Sequence, residues 1–253
     1  MDLEKISGLP IEYVDGKLVS KSKDMVVPRS SARQIDEARP YLRYFFSRSR
    51  RTLYYMYRNV HFRKDRKLLK KHRLRYDITV IAPGFEGKEF EKTVGHIHSK
   101  VRGTGITYTE VYEVIHGEAW FVFQKMKDKK VTKVVVYHAK EGDKVVVPPD
   151  HAHFTINPGK KVLIMSNWMC TKARSKYNLI KRRHGADYYF VQNENHKTEI
   201  IKNPNYQRHP HLEIKKPKQE KRFNLLKRKP MYSAFIESPM NFDFLVHPQR
   251  YKW

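Results

Sequence analysis

A single cysteine, Cys170, stands in 253 residues, which excludes an intramolecular disulfide and any cysteine-rich metal site. A bound metal would have to be held by histidines and carboxylates. Apolar runs stop well short of the ~18 residues that span a bilayer. The N-terminus, MDLEKISGLP, lacks the basic-then-apolar plan of a secretion signal. The expectation is a cytoplasmic protein with no membrane contact. Acidic residues are scarce as well: 26 Asp and Glu against 52 Lys and Arg give a net charge of +26 at pH 7. Such an excess points toward an anionic partner. It comes from three stretches, Arg58 to Arg75, Lys172 to Arg183 and Lys215 to Lys229, which flank a nearly balanced middle. No RNA- or DNA-binding motif accompanies these runs, so they read as solvated faces rather than a nucleic-acid surface.

What is present describes one folded domain with appendages. Hydrophobic residues make up 40% and aromatics 13%, enough for a core, and the length suits one domain better than two. Residues 1–53 read as an N-terminal extension. It holds a hairpin, IEYVDGKLVS, turning at Asp15-Gly16, and a short helical segment from Ser31 to Ala38 limited by Pro40. Residues 54–206 alternate apolar runs of five to eight residues (YDITVIAPG, EVYEVIHG, AWFVFQKM, KVVVYHAKEG, KVVVPP, VLIMSNW) with Gly- and Pro-bearing turns. Short strands at regular spacing predict an all-β antiparallel sandwich or barrel. Residues 207–253 turn basic, then aromatic (YSAFIESPMNFDFLVHPQRYKW). Their apolar end suits a tail that wraps the barrel or a neighbouring subunit. There is no internal repeat.

Gly95-His96-Ile97-His98 sets two histidines two residues apart, and on a strand that period aims both imidazoles at one face. Glu110 follows on the next strand, with Gly117 beyond it, and His153 lies in the later run GDKVVVPPDHAHFTIN. Three imidazoles and a carboxylate suit one divalent ion, iron, manganese, nickel, cobalt or zinc, with positions left for substrate oxygens. His151, two residues from His153, would face inward on a regular strand, whereas His116 and His138 read as surface residues.

These two stretches resemble the paired motifs of the cupin superfamily: Gly, His-x-His, Glu and a closing Gly, then Gly, Pro, His and Asn, here Gly142, Pro148, His153 and Asn157. Asp150 replaces the usual turn glycine, and VRGTGITY is inserted between His98 and Glu110. A lone His-x-His is weak, but both motifs in order are specific. The resemblance implies a double-stranded β-helix, or jelly-roll, barrel. From about Tyr55 to Tyr206 the segments TVIAPGFEGKEFEKTVGHIHSK, TEVYEVIHGEAWFVFQ, VVVPPDHAHFTIN and KNPNY resemble the archaeal-type, cupin phosphoglucose isomerases. That resemblance implies His96, His98, Glu110 and His153 as metal ligands. It further implies Thr79, Thr93 and Gly95 at the substrate phosphate, Tyr55 and Tyr112 along the sugar, and a homodimer. Where that family has His-x-Tyr after the last barrel strand, this chain has Tyr177 without the histidine; Arg174 or Lys176 stands as a substitute polar contact.

The implied activity is interconversion of glucose 6-phosphate and fructose 6-phosphate, a step of glycolysis and gluconeogenesis, with Glu110 as the base that moves the proton between C1 and C2. The same four ligands would serve a dioxygenase or another small-molecule cupin equally well. The cluster of Thr79, Thr93 and Gly95 separates the two, because an unphosphorylated substrate gives no reason for it.

Overall fold

The structure, a computed structural model, describes residues 1–44, 46 and 50–253, so the positions of the N-terminal extension at 45 and 47–49 lie outside the described residues. Strands β1 (Ile11–Val14) and β2 (Lys17–Ser20) form the expected hairpin. Asp15 and Gly16 both take positive φ, 49° and 79°, the turn whose twist matches a two-residue hairpin. The expected helix over Ser31 to Ala38 is corrected. Only Ile35–Ala38 is helical, and Ser31–Gln34 is a strand, β3, paired with β4 (Thr52–Tyr57). Gln34 is where the two meet. Its side chain and that of Glu37 bond each other's backbone N–H in a capping box, which starts the helix after the strand has ended.

Apart from several two-residue strands, the strands that follow are β5 (Leu74–Ile81), β6 (Glu110–His116), β7 (Glu118–Lys127), β8 (Lys130–Lys140), β9 (Lys144–Val147), β10 (His151–Ile156), β11 (Leu163–Cys170), β12 (Tyr188–Gln192), β13 (Thr198–Lys202) and β14 (Leu212–Lys215). One sheet has the order β9-β6-β11-β5-β4-β3 and the facing one β10-β7-β8-β14. All their pairs are antiparallel except β8 with β14. The segment 92–98 runs along β10, bridging Lys92 to Ile156 and His96 to His153. This is the all-β cupin barrel, with Val114, Phe121, Phe123, Val145 and Leu163 filling its interior from both sheets.

The six-stranded sheet departs from the usual polar-out rule, and the departure explains the tail. Every residue of β5 is buried except Arg75, which is half-buried. Arg75, Asp77 and Thr79 line the barrel cavity, so period 2 sends Leu74, Tyr76, Ile78 and Val80 outward. In the same way Asn167 and Met169 line the cavity while Trp168 and Cys170 face away. An outward apolar face needs a cover. The helix Met231–Glu237 and the turns after it supply one, stacking Tyr232 and Phe235 on Trp168 at ring-centroid distances of 5.6 and 4.4 Å. Phe242, Phe244 and Leu245 are fully buried in the same cluster. A buried ion pair anchors this cover. Lys144 Nζ lies 2.7 Å from Glu113 Oε1, and the Met231 N–H donates to Glu113 Oε2 at 2.9 Å.

Candidate active site

Four side chains from three parts of the chain converge at one end of the barrel. His153 comes from β10, Glu110 from the first position of β6, and His96 and His98 from the segment laid along β10. Their ligand atoms all lie within 4.8 Å of one another. His96 Nε2 is 3.2 Å from His98 Nε2 and 3.1 Å from His153 Nε2, while Glu110 Oε2 is 3.1 Å from His153 Nε2 and 3.4 Å from His98 Nε2. The segment approaches this closely because Gly95, at φ +72°, lies against the Phe154 ring where a side chain would collide.

The donor set fits a cation. His98 Nδ1 donates to the Tyr108 carbonyl at 3.1 Å and His153 Nδ1 to the His151 carbonyl at 3.3 Å. With the proton fixed on Nδ1, each Nε2 presents a lone pair toward the centre. Burial pushes His153 down, and burial together with the neighbouring His153 and His98 pushes His96 well down, so both are neutral. A histidine in an ion pair with Glu110 would instead move up. Burial opposes the charge on Glu110; positive charge at the facing edges of His153 and His98 outweighs it and holds the carboxyl well below the usual carboxylate range, and with the imidazoles neutral a bound cation is what would supply that charge. Converging lone pairs and one carboxylate, mutually repulsive when empty, are what a divalent transition metal binds. The Tyr112 hydroxyl donates to Glu110 Oε2 at 3.0 Å, and burial plus that carboxylate push Tyr112 far up, so it keeps its proton.

The cavity beside this cluster is lined by Thr79, Thr93, Gly95, Tyr112 and Tyr177 together with His96, Glu110 and His153. Thr93 Oγ1 accepts from the Thr155 N–H at 3.0 Å, which leaves its own proton to donate. The Tyr177 ring lies 5.5 Å from that of His96. Tyr55 is not brought in: it points outward, 37% exposed, while Tyr54 and Met56, its neighbours on the other face of β4, line the cavity. A one-residue difference in reading a strand reverses the face. Neither Arg174 nor Lys176 reaches the cavity; Ser175 does, and stands where the His-x-Tyr pattern has its histidine. His151 turns its Nδ1 to the Pro149 carbonyl at 2.8 Å and does not line the cavity. Asp150 serves the turn itself. It tolerates φ 62°, and its backbone N–H and Oδ1 both bond Thr107.

Sequence reasoning missed Arg33, Arg58, Arg75, Asp77 and Asn167, which line the same cavity. The signal for two of them was present, since Arg75, Asp77 and Thr79 put polar residues at period 2 inside an otherwise apolar strand. Asp77 is a buried hub. Its Oδ1 accepts from the Asn59 N–H at 2.8 Å and its Oδ2 lies 2.9 Å from Arg75 Nε and 3.9 Å from Arg58 Nη1. Arg33, Arg58 and Arg75 against Asp77 and Glu110 leave the cavity cationic even before a metal is counted.

A jelly-roll barrel with three histidines and a glutamate gathered at its mouth is a cupin with a metal-type centre. A family model for glucose-6-phosphate isomerase (GPI) matches residues 36–207, well over half of the chain, and the chain belongs to that family. It is 32% identical over 133 residues to the glucose-6-phosphate isomerase of Thermococcus litoralis, covering 53% of this chain and 64% of the relative. The enzyme of Pyrococcus furiosus is 29% identical over 136 residues, 53% of this chain and 66% of the relative. The chain thus spans just under two thirds of the length of the curated relatives it matches. Among solved structures, the vicilin from Solanum melongena aligns at 16% identity over 49% of this chain and 30% of its own, with a TM-score of 0.35. No described helix is long and apolar enough to cross a membrane.

Proposed function

We propose that the chain is a metal-dependent aldose–ketose isomerase that interconverts glucose 6-phosphate and fructose 6-phosphate, in the direction set by glycolysis or gluconeogenesis. The observation that carries this reading is the convergence of His96, His98, Glu110 and His153 within 4.8 Å on a cationic cavity whose wall also holds Thr79, Thr93 and Gly95. A cationic wall with two threonine hydroxyls suits a phosphorylated substrate better than the uncharged ones open to other cupin enzymes.

Those four residues would hold one divalent ion, iron ahead of manganese, nickel, cobalt or zinc. Bound there, the ion supplies Lewis acidity to the sugar oxygens at C1 and C2. The protein's own groups do the rest. Thr79, Thr93 and Gly95 take the phosphate, and Tyr112 and Tyr177 flank the sugar. Glu110 is the base. Its Oε2 is engaged by Tyr112, His98 and His153, so Oε1 is the atom that receives a proton from one carbon and returns it to the neighbouring one. A homodimer is the expected assembly: β13 is an open sheet edge with Ile200 exposed, a surface that pairing would cover.

The test is a coupled assay for fructose 6-phosphate to glucose 6-phosphate conversion on protein stripped with chelator and reloaded separately with iron, manganese, nickel and zinc. Turnover restored by one or more metals is expected. Folded, metal-loaded protein with no turnover on any of them refutes the assignment.

A further inference from the structure

We infer that Arg33, delivered by the N-terminal extension, is the residue that recognises the substrate's phosphate dianion; the inference rests on the sugar-phosphate reading above. Arg33 lies on β3, opposite Tyr54, which in turn lies opposite Ile81, two residues along β5 from Thr79. It therefore sits at the threonine end of the cavity and lines it with Thr79, Thr93 and Gly95. The other two cationic side chains are placed elsewhere. Arg75 is four residues further along β5, about 13 Å at the rise of a strand, level with Met169 and Glu110 in the register. It is also committed to Asp77, which Arg58 approaches as well.

The partners of Arg33 hold its head without using it up. Its Nη1 reaches the half-exposed Glu37 carboxylate at 3.3 Å, an i,i+4 pair of small energetic weight. The Tyr54 hydroxyl approaches the guanidinium from within the barrel. Nε, however, is buried with no hydrogen-bond partner among the described residues. A sheltered, unpaired guanidinium N–H is costly unless an acceptor arrives, and the planar fork of arginine matches the oxygens of a phosphate. The orphaned donor, the cavity wall and the neighbouring hydroxyls describe one anion site. It follows that the strand replacing the expected helix at 31–34 is part of the binding machinery.

The test is calorimetric titration of metal-loaded protein with fructose 6-phosphate, followed by competition with inorganic phosphate, for wild type, Arg33→Ala and Arg33→Lys. Arg33→Ala should weaken fructose 6-phosphate binding by about tenfold to a hundredfold, the value of a charge-assisted hydrogen bond, and lose the competition by inorganic phosphate while keeping its full metal content. Arg33→Lys keeps the charge and the stem but not the fork, so it folds and binds several-fold more weakly than wild type. Wild-type affinity in Arg33→Lys, or in a folded Arg33→Ala, overturns the proposal. A wild-type protein that holds metal but binds no hexose phosphate would instead sink the isomerase reading, and this inference with it.

Discussion

Replacing Gly95 with alanine tests whether the metal-type centre depends on a single close backbone approach. Gly95 has φ +72°, and a Cβ built there falls 2.8 Å from Phe154 Cγ and closer still to two other ring atoms. Holding alanine in the left-handed region costs roughly 1–2 kcal/mol. Forcing the ring of Phe154, itself only 2% exposed, out of a packed core costs about 1–3 kcal/mol more. The expected loss is therefore about 2–5 kcal/mol, read as a shift of the urea midpoint at unchanged slope. The damage should not stop at stability. His96 follows directly, and its backbone N–H to the His153 carbonyl (3.2 Å) and the return bond from the His153 N–H (2.9 Å) place both imidazoles. Metal stoichiometry should fall along with the midpoint. Adding Phe154→Leu makes room for the new methyl, so the double variant should recover at least about 1 kcal/mol relative to the sum of the singles. A Gly95→Ala protein that loses less than about 1 kcal/mol and keeps one metal per chain would refute the close-approach argument.

Glu110→Gln should leave the fold intact and reduce turnover about 10²–10⁴-fold, the usual contribution of a positioned base; retained activity in a steady-state assay removes Glu110 from the chemistry. Chelation should lower the melting temperature as well as abolish turnover, because the ion opposes the mutual repulsion of the converging Nε2 lone pairs, and each hundredfold excess of metal over its Kd is worth about 2.7 kcal/mol; identical melting curves with and without chelator would count against a metal in this cluster. Phe235→Ala should cost about 3–5 kcal/mol, since Phe235 is fully buried on Trp168, and hydrogen exchange should quicken first over the Met231–Glu237 helix; a loss under about 1 kcal/mol would mean that the tail is not a structural cover. Burial raises Glu113 from its ordinary value to about 7, against the pull of Lys144. Between the ordinary carboxyl range and about 7 the folded state thus holds a proton that the unfolded chain has lost, and this group's contribution to stability declines as pH rises through that window. The decline should appear in urea midpoints measured from pH 5 to 7 and flatten in Glu113→Gln; an equal slope in both proteins would assign it elsewhere.

The barrel and the approximate site were legible because both depend on local period. Short apolar runs between Gly- and Pro-bearing turns marked β5, β6, β7, β8 and β11, Asp15-Gly16 marked the hairpin turn, and the two-residue spacing of His96 and His98 fixed their common face. Motif order added Glu110 and His153, which the structure brings together with them. What failed were cases where the period gives no absolute phase. Ser31–Gln34 is too short to declare itself a strand, and pairing with β4 decided it. Tyr54 and Tyr55 are chemically equivalent neighbours, and only the register of β4 on β5 turns Tyr54 inward.

The sequence by itself thus determined the fold class, the donor set and the charge, all properties of residue type and short-range spacing. The tertiary structure alone decided which face each strand presents. It put Arg75, Asp77 and Thr79 inside the barrel and Tyr76, Ile78 and Val80 outside, and so made the C-terminal aromatic segment a cover for an apolar outer face. It also carried Arg33 from the N-terminal extension to the cavity wall. The physical reason is the same in each case: a strand's alternation is readable from its sequence, but the partner that selects the buried face comes from elsewhere in the chain.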